Sequence, residues 1–365
     1  MKVLISDSLS QSGLDLLAEQ DDFETDVKSD LTEEELIYHI GNYDALIIRS
    51  ATQVTTEVLA AAGQLKVIGR AGVGIDNVNV NKATEQGVLV FNTPNGNTVA
   101  AVEHTITLML SLSRRVLPAS ISLKNGEWDR GRFVGNELYR KTLGVIGLGR
   151  IGIEVAKRVQ TFGMEIIAFD PYISSNAAEK LGIQLVDQDE LIRKSDYISL
   201  HLPLTNDTHH SISYREFDMM KSNCRLINCA RGGLVDETAL LEALKNGKIS
   251  GAALDVFEKE PPNNSTLMEL DNFIATPHLG AYTTEAQDHV AREIAQKVID
   301  SLRGLPVDGA INQPRMDQFE ELRPYLLLAE RLGSFQAQLL ESQLLEGQIT
   351  EIRIQYNGNI FKGDV

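Results

Sequence analysis

Residues 142–170, TLGVIGLGRIGIEVAKRVQTFGMEIIAFD, restrict the possible folds more than any other stretch of the chain. A short apolar run is followed by a glycine-rich turn, a segment with helical periodicity, and a second apolar run that ends in Asp170. This order predicts a strand, a tight turn, a helix and a second, parallel strand. A GxGxxG turn in this setting, with an acid after the second strand, is typical of a dinucleotide-binding site.

Each of the three glycines of this turn would have a different structural role. Gly147 permits the tight turn, Gly149 would let the backbone approach a pyrophosphate, and Gly152 would let the helix pack closely on the strand. The pyrophosphate would meet the N–H groups at the start of the helix near Arg150. Asp170 would accept hydrogen bonds from ribose hydroxyls and repel a 2′-phosphate, so NAD is predicted rather than NADP. The alternative is a glycine turn that only packs a helix on a sheet.

Length and composition limit the classes of protein that remain. A chain of 365 residues predicts two or three domains. The net charge of −17 argues against nucleic acid and anionic membranes as partners. No apolar stretch is long enough for a membrane span or a signal peptide, so a cytoplasmic location is expected. Cys224 and Cys229 are too few for a disulfide framework or a CxxC metal site, and we expect no metal.

The alternation of apolar runs and helical segments predicts an α/β protein with parallel sheets. We expect a Rossmann-type doubly wound domain at residues 97–284, inserted into a smaller flavodoxin-like α/β domain that binds substrate and comprises residues 1–96 and 285–312. One long apolar helix is predicted from Asn97 to about Pro118.

Residues 313–365 are predicted to form a C-terminal extension. The pattern predicts an amphipathic helix at 318–345 and a strand at 351–356. This extension would be either an arm used in subunit contact or the first elements of a further domain.

Three motifs follow predicted strands of the larger domain: NCARGGLVDE, DVFEKEP and TPHLGA, which contain Arg231, Glu260 and His278. Ligands of open α/β sheets bind at the carboxyl ends of the strands, so these side chains would share one edge with the dinucleotide. Hydride transfer at a hydroxyl-bearing carbon needs a proton acceptor, a group that sets its pKa, and a cation for the substrate oxygens. A histidine, an acid and an arginine meet these needs.

The glycine turn and the three motifs, in this order and spacing, resemble the D-2-hydroxyacid dehydrogenase family over residues 1–312. The resemblance implies that Arg231 holds the substrate carboxylate and keto oxygen, that His278 exchanges the hydroxyl proton, and that Glu260 orients His278. It implies that Asp255 holds the nicotinamide carboxamide. Further NAD contacts are implied at Thr98, Arg150, Ile151, Thr208, Cys229, Ala230 and Gly280.

The substrate is expected to be a small anionic 2-hydroxyacid or 2-ketoacid. A second glycine-rich turn contains Gly72, Val73 and Gly74, whose consecutive N–H groups can form an anion nest. The resemblance implies that this turn receives the substrate carboxylate. The motifs are most similar to the branch of the family that oxidises 3-phosphoglycerate to 3-phosphohydroxypyruvate for serine synthesis.

A phosphate would need cations, and four arginines are candidates. Arg49 and Arg70 lie at predicted strand ends, and Arg130 and Arg132 flank Trp128 in a loop that lies at the dimer interface in that branch. The resemblance implies a homodimer or homotetramer.

Two other functions stay open at this point. One is reduction of another 2-ketoacid, such as glyoxylate or hydroxypyruvate, and the other is NAD sensing by a corepressor-like interaction protein that binds peptides. His104 and His201 are expected to support the core or the site, whereas His210 has no partner pattern in the sequence and is expected at the surface.

Overall fold

We describe a computed structural model of the protein, in which the described residues are 1–263, 266–305, 307, 309–313, 327–329 and 331–338. The chain divides into two compact units, one formed by residues 1–93 and those from 290 onward, the other by residues 94–289. Within the described residues, no helix combines the length and the apolar character that a membrane span requires.

The first unit is built on a five-stranded sheet in which all neighbouring strands are parallel. Its strands are β1 (Lys2–Ile5), β2 (Glu24–Val27), β3 (Ala45–Ile48), β4 (Val67–Arg70) and β5 (Leu89–Phe91), and its first helices are α1 (Gln11–Ala18), α2 (Glu33–Ile40), α3 (Thr56–Ala61) and α4 (Val80–Glu85). The spatial order β2-β1-β3-β4-β5 is the flavodoxin-like order, with the topological switch between β1 and β3.

The second unit is built on a seven-stranded parallel sheet. Its elements are α5 (Thr98–Arg114), α6 (Val116–Lys124), β6 (Thr142–Ile146), α7 (Arg150–Gln160), β7 (Glu165–Phe169), α8 (Ser175–Glu179), β8 (Gln184–Leu185), α9 (Gln188–Lys194), β9 (Tyr197–Leu200), α10 (Tyr214–Met219), β10 (Arg225–Asn228), α11 (Glu237–Lys245), β11 (Gly251–Leu254) and β12 (Phe273–Ala275), followed by α12 (Thr284–Leu302). The spatial order β12-β11-β10-β9-β6-β7-β8 reverses between β6 and β9, which is the doubly wound Rossmann arrangement. The predicted fold class is therefore confirmed.

The predicted long helix at 97–118 is wrong in one respect, because the structure has two helices there. Helix α5 ends at Arg114, and Arg115 takes a left-handed conformation with φ of 51° before α6 begins. In one continuous helix, Pro118 would lose a hydrogen bond and clash with the carbonyl of residue 114. The break places Pro118 in the first turn of α6, where its missing N–H costs nothing.

Side-chain caps fix several helix starts. Thr32 and Glu35 form a capping box at the start of α2, and the Asp236 carboxylate accepts from the amides of Thr238 and Ala239 at the start of α11. The hydroxyl of Thr283 accepts from the amide of Ala286 at the start of α12.

The C-terminal part of α12 covers one face of the first unit's sheet. Ile294 and Val298 are fully buried there, and a Cβ on Gly69 of β4 would lie 2.8 Å from both side chains. The same helix packs on α1, because a Cβ on Gly13 would lie 2.8 Å from the carbonyl oxygen of Ala291. The apolar faces of these elements therefore close the core without space for additional atoms.

Beyond α12, residues 327–329 and 331–338 are helical, within the range predicted for an amphipathic helix. The rest of that range and the strand predicted at 351–356 lie outside the described residues.

Substitution of Gly13 by alanine is expected to destabilise the first unit by about 1–2 kcal/mol, because overpacking against backbone outweighs the better helix propensity of alanine. Gly63→Ala is the matched control, since a Cβ there meets nothing within 4 Å. Urea unfolding of both variants measures the difference. Equal stability of the two variants would contradict the close approach of α1 and α12.

Candidate active site

The glycine turn of the second unit lies at the switch point of the seven-stranded sheet. Gly147 has φ of 96°, and a Cβ on Gly152 would lie 2.1 Å from the carbonyl oxygen of Gly147. Both positions therefore exclude larger residues. A Cβ on Gly149, in contrast, meets nothing within 4 Å, and no side chain caps the start of α7 that follows. Open space in front of helix N–H groups fits a pyrophosphate.

Asp170 follows β7 beside this turn. One carboxylate oxygen accepts from the amide of Leu148 at 2.7 Å, and the other accepts from the amides of Tyr172 at 2.8 Å and Ile173 at 3.3 Å. The side chain is half-buried, so it ties the glycine turn to the next loop and still has access to solvent. This position suits a ribose contact, and no arginine stands in the two positions that follow.

Arg231 lies in the loop that follows β10. The buried side chain of Asn228 holds this loop, because its Nδ2 donates to the carbonyl of Arg231 at 2.8 Å and its Oδ1 accepts from the amide of Ala230 at 3.0 Å. A Cβ on Gly232 would lie 1.8 Å from the carbonyl oxygen of Phe257. Gly232 therefore lets the Arg231 loop pack directly on the loop that carries Glu260.

Glu260 and His278 form a hydrogen-bonded pair. Oε2 of Glu260 lies 2.8 Å from Nδ1 of His278, and Oε1 accepts from the amide of Phe257 at 3.1 Å. Burial alone would raise the pKa of Glu260, but the hydrogen bond and charge of His278 hold the pKa below its usual value. An ionised carboxylate can only accept, so Nδ1 carries the proton and Nε2 is left for chemistry.

Asp255, at the end of β11, is fully buried. Burial would raise the pKa of its carboxyl, but hydrogen bonds from His104 and Thr276 and from the amide of Leu279 keep that pKa below its usual range. Both oxygens of its carboxylate therefore accept hydrogen bonds from protein groups. Gly280, another predicted NAD contact, donates its amide to the same carboxylate at 2.7 Å.

The thiol of Cys229 is a poor nucleophile in this setting. Burial raises its pKa to about 12, so the thiol stays protonated at neutral pH. Burial also lowers the pKa of His201 to about 4, and its ring shares a 2.9 Å hydrogen bond with Ser199. A neutral, internally bonded imidazole fits the supporting role expected for His201.

The remaining predicted NAD contacts are spread along the second unit. Thr98 is the first residue of α5, Arg150 and Ile151 begin α7, and Thr208 lies in the loop after β9. The Thr208 hydroxyl donates to the carbonyl of Pro203 at 2.7 Å, which fixes that loop.

The candidate substrate groups of the first unit lie at the carboxyl edge of its sheet. Arg70 ends β4, and a Cβ on Gly72 would lie only 1.9 Å from its Nη1. The Arg70 guanidinium therefore lies against the 72–74 turn. The turn is fixed by Asn92, whose Nδ2 donates to the carbonyl of Val73 at 2.6 Å. The amide of Gly72 itself donates to the carbonyl of Arg70 at 2.9 Å, so only the amides of Val73 and Gly74 could take part in the predicted nest. The Arg70 guanidinium beside this turn favours a carboxylate or phosphate.

Arg49 follows β3, and its backbone is held on both sides. Its amide donates to the buried carboxylate of Asp7 at 2.5 Å, and its carbonyl accepts from Nδ2 of Asn77 at 2.7 Å. Neither Asp7 nor Asn77 was predicted as a site residue, since a carboxylate or amide that binds backbone leaves no periodic sequence signal.

Arg130 and Arg132 lie elsewhere. Arg132 is exposed, and its Nη2 lies 3.4 Å from Oδ2 of Asp271. Asp271 lies two residues before β12 begins. That is the amino edge of the sheet, opposite the edge that carries His278, and Arg130 is two residues away. Within one chain these two arginines are therefore not brought together with Glu260 and His278.

His210 has partners that the sequence did not predict. Its Nε2 lies 2.8 Å from Oε1 of Glu258, and its backbone is left-handed with φ of 51°. The sequence could not predict this partner of His210, because Glu258 is 48 positions away in the chain.

Comparison with known proteins identifies relatives of the whole chain. Residues 106–280 match the family model for the NAD-binding domain of D-isomer specific 2-hydroxyacid dehydrogenases. The chain is 47% identical to D-3-phosphoglycerate dehydrogenase of Methanocaldococcus jannaschii, over 99% of this chain and 68% of that protein. It is 46% identical to the Synechocystis enzyme of the same name, over 98% of this chain and 64% of that protein.

A structural relative carries ligands. The crystal structure of D-lactate dehydrogenase from Aquifex aeolicus with NAD and lactic acid superposes with a TM-score of 0.75 and 29% identity, covering 83% of this chain and 96% of that one.

The Glu260–His278 pair predicts a specific pH dependence of stability. Because the folded-state pKa of Glu260 lies below its usual value of 4.5, wild type should gain stability over Glu260→Gln above that pH. The gain should disappear as the pH falls through the folded-state pKa. Urea unfolding of both proteins between pH 3 and pH 7 measures it, and a difference that grows towards low pH would contradict the pairing.

Proposed function

The chain belongs to the D-isomer-specific 2-hydroxyacid dehydrogenase family, and on this premise we propose that it oxidises 3-phospho-D-glycerate to 3-phosphohydroxypyruvate with NAD. The chemistry rests on one observation above others, the 2.8 Å hydrogen bond between Glu260 and Nδ1 of His278 at the carboxyl edge of the NAD-binding sheet. The substrate is supported by the names of relatives, of whose length the chain spans about two thirds.

The proposed mechanism follows from the proton positions. NAD, when bound on the glycine turn, supplies the acceptor for the hydride that leaves the hydroxyl-bearing carbon. Nε2 of His278 takes the hydroxyl proton as the carbonyl forms, and Glu260 stabilises the imidazolium through Nδ1–H. The Arg231 guanidinium would hold the substrate carboxylate and the oxygen that becomes the carbonyl. Reduction uses the same steps in reverse.

The first unit would bind the rest of the substrate. The 72–74 turn with Arg70 would accept the carboxylate, and Arg49, whose backbone is fixed by Asp7 and Asn77, would contact the phosphate. Asp170, beside the glycine turn, would select NAD by binding the ribose hydroxyls.

A homo-oligomer is part of the proposal. Helix α6 and the loop after it expose Leu117, Ile121, Leu123 and Trp128 in one stretch of chain, which is unusual for a surface that faces only water. A second copy would cover these side chains and would be needed for Arg130 or Arg132 to reach a substrate. Sedimentation equilibrium tests this, and a monomer at micromolar concentration would contradict it.

The cytoplasmic location stays a prediction that cell fractionation can test.

His278→Asn is expected to lower kcat for 3-phosphoglycerate oxidation by about a hundredfold or more, because the proton acceptor is lost. NADH formation at saturating NAD measures the rate, with His39→Asn on α2 as a control that should retain wild-type turnover. Near-wild-type rates in His278→Asn would remove its proposed role. No turnover of any 2-hydroxyacid or 2-ketoacid by the wild type would favour the NAD-sensing alternative.

Arg49→Ala is expected to reduce kcat/KM for 3-phosphohydroxypyruvate by about tenfold or more, because a charge-assisted hydrogen bond to phosphate is lost. Hydroxypyruvate lacks the phosphate, so its kcat/KM should change little. Arg193→Ala on α9 is the control for loss of a surface arginine. If wild type prefers glyoxylate or hydroxypyruvate over the phosphorylated ketoacid, the chain is a reductase for another 2-ketoacid.

A further inference from the structure

Three consecutive backbone amides of the turn that carries His278 donate to a single residue. The amide of His278 donates to the backbone carbonyl of Asp255 at 2.9 Å and is shared with the carbonyl of Thr276 at 3.0 Å. The amides of Leu279 and Gly280 each donate to one oxygen of the Asp255 carboxylate at 2.7 Å. Asp255 therefore determines the path of the chain through residues 278–280.

The backbone of His278 needs this support. Its φ is 56°, a left-handed conformation that a non-glycine residue adopts at a cost of about 1 kcal/mol or more and that persists only where its surroundings enforce it. A looser turn would let φ relax, which would move the imidazole away from Glu260. The orientation of the Asp255 carboxylate is thus a condition for the His278–Glu260 pair.

That orientation is set by a side chain from a distant helix. His104 of α5 places Nε2 3.1 Å from Oδ1 of Asp255 and 3.0 Å from the hydroxyl of Thr276, which itself donates to the same carboxylate oxygen at 2.5 Å. The hydroxyl proton of Thr276 is used in that bond, so both partners of His104 present only lone pairs to it. Nε2 of His104 must therefore carry a proton and donate it.

We propose that His104 is a positioning residue for catalysis, which acts through the buried Asp255 carboxylate to hold the 278–280 turn and so keeps His278 against Glu260. The role of His278 as proton acceptor belongs to the proposed function, and this inference rests on it. The hydrogen-bonded group consists of His104 on α5, Asp255 at the end of β11, and Thr276 and His278 in the loop after β12. His104 therefore connects the active-site histidine His278 to helix α5, although no described hydrogen bond joins His278 to that helix directly.

His104→Leu and His104→Gln test the proposal together. Leucine removes the donor, whereas glutamine places an amide N–H near the position of Nε2. We expect kcat of the leucine variant to fall by about tenfold or more, since a small displacement of a catalytic group is costly for the chemical step. The glutamine variant should recover most of kcat.

A structural readout makes the test independent of turnover. Amide hydrogen exchange of the 278–280 segment should be faster in His104→Leu than in wild type and close to wild type in His104→Gln. Thr276→Val removes the other side-chain donor to Oδ1 of Asp255 and should also make amide exchange at 278–280 faster. This variant keeps the test possible if the leucine variant does not fold.

Ser113→Ala is the matched control. Ser113 lies on the same helix and also links it to the sheet, through a 2.9 Å hydrogen bond with the hydroxyl of Tyr197. Its loss should lower the melting temperature without changing kcat or exchange at 278–280.

Several outcomes would overturn the proposal. They are wild-type kcat in His104→Leu, equal impairment of the leucine and glutamine variants, or unchanged exchange at 278–280. Equal loss of kcat in Ser113→Ala would show that only general stability was affected. If the wild type turns over no 2-hydroxyacid, the proposed function fails, and the exchange comparison still decides whether His104 positions the turn.

Discussion

Parallel strand pairing is the constraint on which the rest of this structure depends. All neighbouring strands of both sheets are parallel, so the carboxyl ends of each sheet's strands share one edge. Arg231, Glu260 and His278 follow β10, β11 and β12, which are consecutive neighbours in the second sheet. Loops that are dozens of positions apart in the chain therefore begin at one edge of the sheet, where Glu260 and His278 form a hydrogen bond. The same geometry places Arg49 and Arg70 at one edge of the first sheet.

Acidic side chains stabilise the loops at those edges. Backbone N–H groups in such loops have no sheet or helix partner and need another acceptor. Asp7 accepts from residues 49 and 52, Asp170 from residues 148, 172 and 173, and Asp255 from residues 279 and 280. Each acid directly follows or nearly follows a strand. These carboxylates fix the loops that present the candidate arginine, the glycine turn and the histidine, so part of the chain's large negative charge has a structural use.

The sequence predicted those parts of the molecule that leave a pattern in a short stretch of chain. Apolar runs marked the central strands, and the glycine spacing marked the turn before α7. Strands β2 and β8 were missed because they are short edge strands with polar residues, and such strands lack an apolar run. The break at Arg115 was missed because apolar residues resume directly after it, at Val116 and Leu117. His104 was expected only to support the core or the site, because its partner Asp255 lies 151 positions away in the chain. Asn77 carries no local signal for its bond to the carbonyl of Arg49, which is 28 positions away.

The site therefore has two levels of organisation with different sequence signatures. Groups proposed to contact ligand, such as Arg231 and His278, lie in recognisable motifs because the chemistry demands their residue types. The groups that hold them are side chains from other elements that bind the backbone of these loops, and several residue types could supply such an acceptor or donor. Glycines belong to both levels: Gly152 and Gly232 allow backbone contacts that no other residue permits, and those contacts bring the loops together. Close backbone approach thus holds the glycine turn against α7 and the Arg231 loop against the loop that carries Glu260.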